Sequence, residues 1–383
     1  MLQDTASLQI NKEEYLKSKH PLDFEGKIRF HDVGHKYELR SSYLEDWVTN
    51  EVGCGSAPIV STTTILKGFF FDSFSMLAAK LWNNQGNRIR MANDPTYKYF
   101  GCKSVDDIRA VWNKGAEAGT LMHNRFESYC NHLQYALDHP EQGVTLDDIC
   151  HRATQLGCEE ARYFRQFVKQ FRLDDPDGDY ELLRTEVLLF HDVLHISGAA
   201  DLLLRDKRDD SLVICDWKRV KGSVQGDPKN PRKPVHLLSE RSRGLILPAM
   251  MQLRNNSFNK YGLQQTMYRN LVQRLTGKVV SAMYLVVIDS LKIGNPDALK
   301  VMPIPLDKFQ PAIDQVFQWR ANEILTTHHD TLPDDLFTAL LKYIPPRVPL
   351  DDSPTPPSTP SSTGSKRSVD DDMIDSDPKR LRS

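Results

Sequence analysis

The 383-residue chain is expected to fold as a mixed α/β (α+β) unit, a central mixed β-sheet flanked by helices. Three observations carry this expectation. Helical spacing of apolar residues dominates from about residue 62 to residue 171. A strand-rich block follows, with Leu182–Phe190, Leu194–Arg205 and Leu212–Arg219 each reading as a strand. Helix and strand patterns then alternate to the end of the folded part. No internal repeat is evident.

The elements read in order as follows. Ile28 to Leu39 alternates and contains turn residues, which predicts a β-hairpin or short strands. Ser61-Thr62-Thr63-Thr64 precedes an apolar run, the pattern of a helix N-cap. Helices are expected over Met76–Asn84, Val105–Val111, Glu117–Leu137 and Asp148–Phe171. In the last of these, Tyr163, Phe164, Phe167 and Phe171 recur at helical spacing, a stripe that suits burial in a core better than a stacking platform. After the strand block come a helix at Tyr261–Leu275, a strand at Val279–Ile288 and a helix at Pro311–Thr327.

Residues 1–345 are expected to form one domain, an N-terminal extension over 1–115 and a core over 116–345. Residues 346–383 are rich in Pro, Ser, Thr and Asp, too poor in apolar surface to offset their ordering entropy, and are expected to be a disordered tail. The tail carries two basic clusters, Lys366-Arg367 and Lys379-Arg380 with Arg382, an arrangement that resembles a bipartite nuclear-import signal and implies an import receptor as partner. A nuclear location is therefore expected, a cytoplasmic one otherwise. The N-terminus lacks a basic region followed by an apolar one, so secretion is not expected. No apolar run approaches the roughly 20 residues that span a bilayer, so no membrane association is expected. The six cysteines are scattered without a C-x-x-C pair, which fits free thiols rather than a disulfide framework or a zinc site. A net charge of −2 hides a strongly basic local stretch, described below.

The most informative segment runs from His195 to Arg219. Two apolar strands flank the polar turn DKRDDS, so they should pair as an antiparallel hairpin. A turn centred between Arg208 and Asp209 makes pairing partners' numbers add to about 417, which sets Asp201 opposite Asp216. Period-two alternation puts Lys218 on the face of Asp216 and Trp217 on the opposite, core-facing side. Two carboxylates forced together beside apolar strands are costly. A divalent cation, Mg²⁺ or Mn²⁺ for an oxygen-rich site, resolves the conflict. Lys218 would then orient or deprotonate a water, or stabilise charge developing on a phosphate. Gly198 would let a backbone or ligand approach closely.

Gly198-x-x-Asp201 followed by an apolar strand and Asp216-Trp217-Lys218 resembles the core of the PD-(D/E)XK nuclease superfamily, in its RecB-like exonuclease branch. Three further segments match that branch in order: Gly119 to Glu127, a G-x-x-x-H-x-x-x-E helix; Glu186, at the strand before the hairpin; and Gln264 to Tyr268, a Q-x-x-x-Y helix. The resemblance implies a restriction-endonuclease-like core. It implies His123, Asp201, Asp216 and the main-chain carbonyl of Trp217 as ligands of one or two Mg²⁺ or Mn²⁺ ions. Glu127 would order the site, Glu186 would order Lys218 or a water, and Gln264 and Tyr268, sharing a helix face, would hydrogen-bond a phosphate or Lys218. Some members hold an iron–sulfur cluster, but no Cys follows Cys215 here, so none is expected. Nor is there a glycine-rich Walker A loop for ATP.

Between Lys218 and Arg243, the cations Arg219, Lys221, Lys229, Arg232, Lys233, Arg241 and Arg243 are opposed only by Asp227 and Glu240. Such a loop leaving the site would hold a phosphate backbone without reading bases. The expected activity is hydrolysis of phosphodiester bonds of DNA, by an exonuclease. An endonuclease on DNA or RNA, and a non-catalytic nucleic-acid-binding scaffold on the same fold, are the alternatives.

Overall fold

The computed structural model describes residues 15–31, 36–44, 46–50, 57–69, 74–155, 158–221, 247–253 and 256–345. The chain divides into a unit spanning Met1–Ile344 and a second, Pro345–Ser383, of which only Pro345 is described. The basic clusters at Lys366, Arg367, Lys379, Arg380 and Arg382 therefore lie outside the described residues, as do Lys229, Arg232, Lys233, Arg241 and Arg243.

In chain order the first unit runs α1 (Tyr15–Lys19), β1 (Ile28–His31), β2 (Lys36–Arg40), β3 (Trp47–Thr49), β4 (Val60–Ser61), α2 (Thr62–Phe69), α3 (Phe74–Asn83), α4 (Gln85–Asn93), α5 (Val105–Asp138), α6 (Leu146–Gln155) and α7 (Ala161–Phe171). It continues with β5 (Tyr180–His191), β6 (Ile196–Asp206), β7 (Leu212–Val220), α8 (Pro248–Met251), α9 (Ser257–Thr276), β8 (Val280–Asp289), β9 (Leu299–Pro303), α10 (Gln310–His328) and α11 (Asp334–Leu341). The mixed α/β character and the central mixed sheet are thus present. No helix among the described residues is long and apolar enough to cross a membrane.

Three antiparallel strands, β1-β2-β3, make a small sheet. The central sheet has six strands. β5, β6 and β7 pair antiparallel, β8 lies parallel to β7 after α9, and β9 pairs antiparallel with β8. One edge of β6 pairs along its length with β5. The other edge is shared: Leu202 to Arg205 pair with β7, while Ile196 and Ser197 pair parallel with β4. The sheet therefore forks along β6, and Gly198 to Asp201 lie in the fork.

Core residues fall into two main clusters. One joins Leu203, Ile214 and Leu285 to α2, α9, α10, α11 and the small sheet; the other joins Leu202, Val213, Cys215 and Trp217 to α5, α6 and α7. The aromatic stripe of α7 is core, with Tyr163, Phe164 and Phe167 at 0% exposure. Trp217 stands edge-on to Phe126 and Phe167, at 5.0 and 4.6 Å between ring centroids, anchoring β7 from behind. α9 packs closely because Gly262 carries no side chain: a Cβ there would meet the Phe309 ring at 2.3 Å.

Two stretches are divided into helices differently from expectation, and α4 has no expected counterpart. Val105–Val111 and Glu117–Leu137 are one helix of 34 residues, α5, whose N-cap Ser104 accepts from the Asp107 N–H. Gly115 and Gly119 within it weaken a helix by only about 1 kcal/mol each relative to Ala, less than the packing of Met122, Phe126, Cys130 and Leu133 returns. The stretch Asp148–Phe171 is instead two helices, α6 and α7. The Cys158 N–H reaches back to the Ala153 carbonyl at 3.0 Å, closing α6 before α7 begins.

Candidate metal and phosphodiester site

The hairpin register places the two aspartates as expected. Leu203 pairs with Ile214 and Leu202 with Cys215. Asp201 and Asp216 occupy the next position, where β6 and β7 begin to part. On the other side of β6, Thr185 pairs with Leu202 and Val187 with Ala200, so Glu186 falls opposite Asp201. Glu186, Asp201 and Asp216 thus form a row across three adjacent strands. Glu186 has a left-handed backbone, φ 45°, a conformation that costs a non-glycine residue of order 1 kcal/mol or more.

The parting of the strands is bridged by a side chain. The Trp217 N–H donates to Asp201 Oδ2 at 2.7 Å in place of a ladder carbonyl. Asp201 is 8% and Asp216 1% exposed. His123 comes from α5, packed on the other side, and its Nδ1 lies 3.4 Å from Asp201 Oδ2 and 3.9 Å from Glu186 Oε1. One ligand atom from each of His123, Glu186 and Asp201 lies within 4.8 Å of the others, a grouping able to hold a metal ion.

Glu186 therefore joins the candidate ligands directly, and Asp216 is engaged differently. The Lys218 ammonium lies 2.5 Å from Asp216 Oδ2, a contact of charge and proximity without the angles of a directed hydrogen bond. Burial disfavours the charged form of Lys218, but Asp216 and Asp201 outweigh it and hold the pKa above its usual value. Burial raises Asp216 to about 6 against the pull of Lys218, and also raises Asp201. His123 is opposed by burial too, yet Asp201 and Glu186 lift it to about 9.

Glu127 sits one turn beyond His123 on α5 and lines a cavity of about 210 Å³ with Lys17, Glu25, Arg184, Thr185 and Glu186. It borders the site through Glu186 and is not in the metal-holding group. Gln264 and Tyr268 do share a face of α9, Gln264 Nε2 donating to Tyr268 Oη at 2.8 Å. A Cβ on Gly198 would stand 2.5 Å from the Tyr268 ring, so the close approach that glycine permits is filled by this tyrosine. Of the basic residues after Lys218, Arg219 is held by Glu160 at 2.9 Å, and Lys221 donates to the Lys98 carbonyl at 3.2 Å. Arg219 is thus a partly buried ion pair rather than a loose surface cation. A larger cavity of about 390 Å³ lies elsewhere, lined by His191, Arg274, Phe317 and Tyr343 among others, and none of the site residues above lines it.

Two neighbours escaped the sequence reading. The Tyr261 ring centroid is 5.2 Å from Lys218 Nζ, and Thr62 Oγ1 donates to Tyr268 Oη at 3.4 Å. Tyr261 precedes Gln264 by three residues on one helix face, a spacing that was legible; Thr62 lies 206 positions from Tyr268 and carried no such signal. No protein-family model matches the chain, and no curated protein matches it.

Proposed function

We propose that the protein is a Mg²⁺- or Mn²⁺-dependent nuclease hydrolysing phosphodiester bonds of DNA, most consistent with an exonuclease of the PD-(D/E)XK superfamily's RecB-like branch. The observation that carries this reading is the row of Glu186, Asp201 and Asp216 across three strands, with His123 above one end and Lys218 on the other. The donor set fits the ion: carboxylate oxygens with one imidazole suit Mg²⁺ or Mn²⁺. One ligand atom each of His123, Glu186 and Asp201 lies within 4.8 Å of the others, close enough for a single ion, while the Lys218 ammonium already faces Asp216 Oδ2.

His123, Glu186 and Asp201 would hold the ion, with Asp216 and the Trp217 carbonyl on its Lys218 side. When bound, a divalent cation supplies Lewis acidity and a water of lowered pKa. The chain's own residues do the rest. Lys218 holds its proton and places a positive charge where a phosphate oxygen gains negative charge in the transition state. Asp216 fixes that ammonium by contact, and the Tyr261 ring flanks it. Tyr268, receiving hydrogen bonds from Gln264 and Thr62, has its own O–H left to direct toward a phosphate oxygen. Lys221 and the cations Lys229, Arg232, Lys233, Arg241 and Arg243 support retention of the strand by charge, whereas the charge of Arg219 is taken up by Glu160. The tail's basic clusters support action in the nucleus.

The test is metal-dependent digestion of end-labelled linear and closed circular DNA, beside Asp216→Ala and Lys218→Ala. Loss of linear DNA from its ends, sparing circles, with both variants inactive, is expected. Cutting of circles would make the enzyme an endonuclease. Absence of cleavage of DNA or RNA with either metal would leave a binding scaffold and end the nuclease reading.

A further inference from the structure

The Ser61-Thr62-Thr63-Thr64 segment stands at the fork of the central sheet. β4 ends at Ser61, and α2, eight residues long, begins at Thr62. Gly198 touches this start: a Cβ there would lie 3.1 Å from Thr62 Oγ1. Asp201 follows three residues along β6, a separation of about 10 Å. Thr62 is tied to the site by its hydrogen bond to Tyr268.

The main-chain N–H groups of a helix's first turn have no acceptor within the helix, and the helix dipole favours an anion there. Ser61 Oγ accepts from the Thr64 N–H at 3.2 Å and lies 3.1 and 2.8 Å from the Thr63 and Thr64 hydroxyls. Thr63 and Thr64 are exposed. A separate observation comes from β6. Ser197 is the parallel-ladder partner of Ser61, so both side chains leave the sheet on one face. The Ser197 hydroxyl is fully buried and has no hydrogen-bond partner. A cluster of hydroxyls capping an exposed helix start, backed by an unsatisfied buried hydroxyl, is arranged to receive an oxyanion.

We propose that the first turn of α2, with the hydroxyls of Ser61, Thr63 and Thr64 and with Ser197 behind them, seats a phosphate of the nucleic-acid strand near the one being cleaved. The assignment to a strand phosphate rests on the nuclease reading. The phosphate is either a terminal phosphomonoester or an internal phosphodiester. The seat would set where along the strand the scissile bond falls.

The experiment uses full-length protein and Thr63→Val/Thr64→Val, which keeps shape and β-branching while removing both hydroxyls. Inorganic phosphate, titrated without metal, should shift the Thr63, Thr64 and Ile65 amide resonances in the parent and not in the variant. In cleavage assays the variant should raise KM about tenfold with kcat little changed, the expected loss for hydrogen bonds to a charged group. Linear strands ending in 5′-phosphate, 3′-phosphate or hydroxyl separate the sources. A KM effect confined to one phosphorylated end identifies a terminal phosphate, and an effect on all three identifies an internal one. Unshifted amides together with unchanged KM would overturn the seat. A parent protein that cleaves nothing would refute the nuclease reading, while the amide titration still decides whether α2 binds phosphate.

Discussion

Cation binding by this site should be strongly pH-dependent, in a direction set by His123. In the metal-free protein Asp201 and Glu186 outweigh burial and raise the His123 pKa to about 9; burial raises Asp216 to about 6. An imidazole must be neutral to ligate a metal, so the ion competes with the His123 proton. At pH 7.5 His123 is protonated and Asp216 ionised, and binding should release about one proton. Mn²⁺ affinity should then rise about tenfold per pH unit, roughly 100-fold or about 2.7 kcal/mol from pH 6.5 to 8.5, and level off above pH 9. Below pH 6 protonation of Asp216 steepens the dependence. The stability of the metal-free protein should move the opposite way. Both folded-state pKa values are raised, so both contributions are present at low pH and lost as pH rises through about 6 for Asp216 and about 9 for His123. Isothermal titration with Mn²⁺ in two buffers of different ionisation enthalpy gives affinity and proton count together. His123→Asn should bind more weakly and lose the slope above pH 6.5. A wild-type affinity independent of pH between 6.5 and 8.5, without proton release, would remove His123 from the ligand set.

Other outcomes test the frame around the site. Gly198→Ala drives a methyl to 2.5 Å from the Tyr268 ring and should cost about 1–3 kcal/mol in urea denaturation; an unchanged midpoint would mean that Tyr268 does not pack against β6. Trp217→Ala removes the anchor between Phe126 and Phe167 and should cost about 3–5 kcal/mol, read in the same experiment. Tyr261→Leu should lower kcat several-fold while Tyr261→Phe stays near wild type, because the ring face and not the hydroxyl meets Lys218; equal losses in both would assign the role to the hydroxyl.

What local pattern alone determined is the hairpin. An apolar strand, a polar turn and a second apolar strand leave one register, because a one-residue slip would turn Leu203 and Ile214 out of the core. That register carries Asp201, Asp216, Lys218 and Trp217 with it, and helical spacing likewise joins Gln264 to Tyr268. The tertiary structure decided the rest. Glu186 enters the row through the pairing of β5 with β6 and a left-handed backbone that no composition signals. His123 reaches it because α5 packs across the sheet, and Thr62 reaches Tyr268 because β4 takes the edge of β6 that β7 leaves. Asp216 pairs with Lys218 while His123 gathers Asp201 and Glu186, a division set by which charges burial brings within about 4 Å of each other. Periodicity specifies which way a side chain faces; which distant side chain it meets depends on how layers stack.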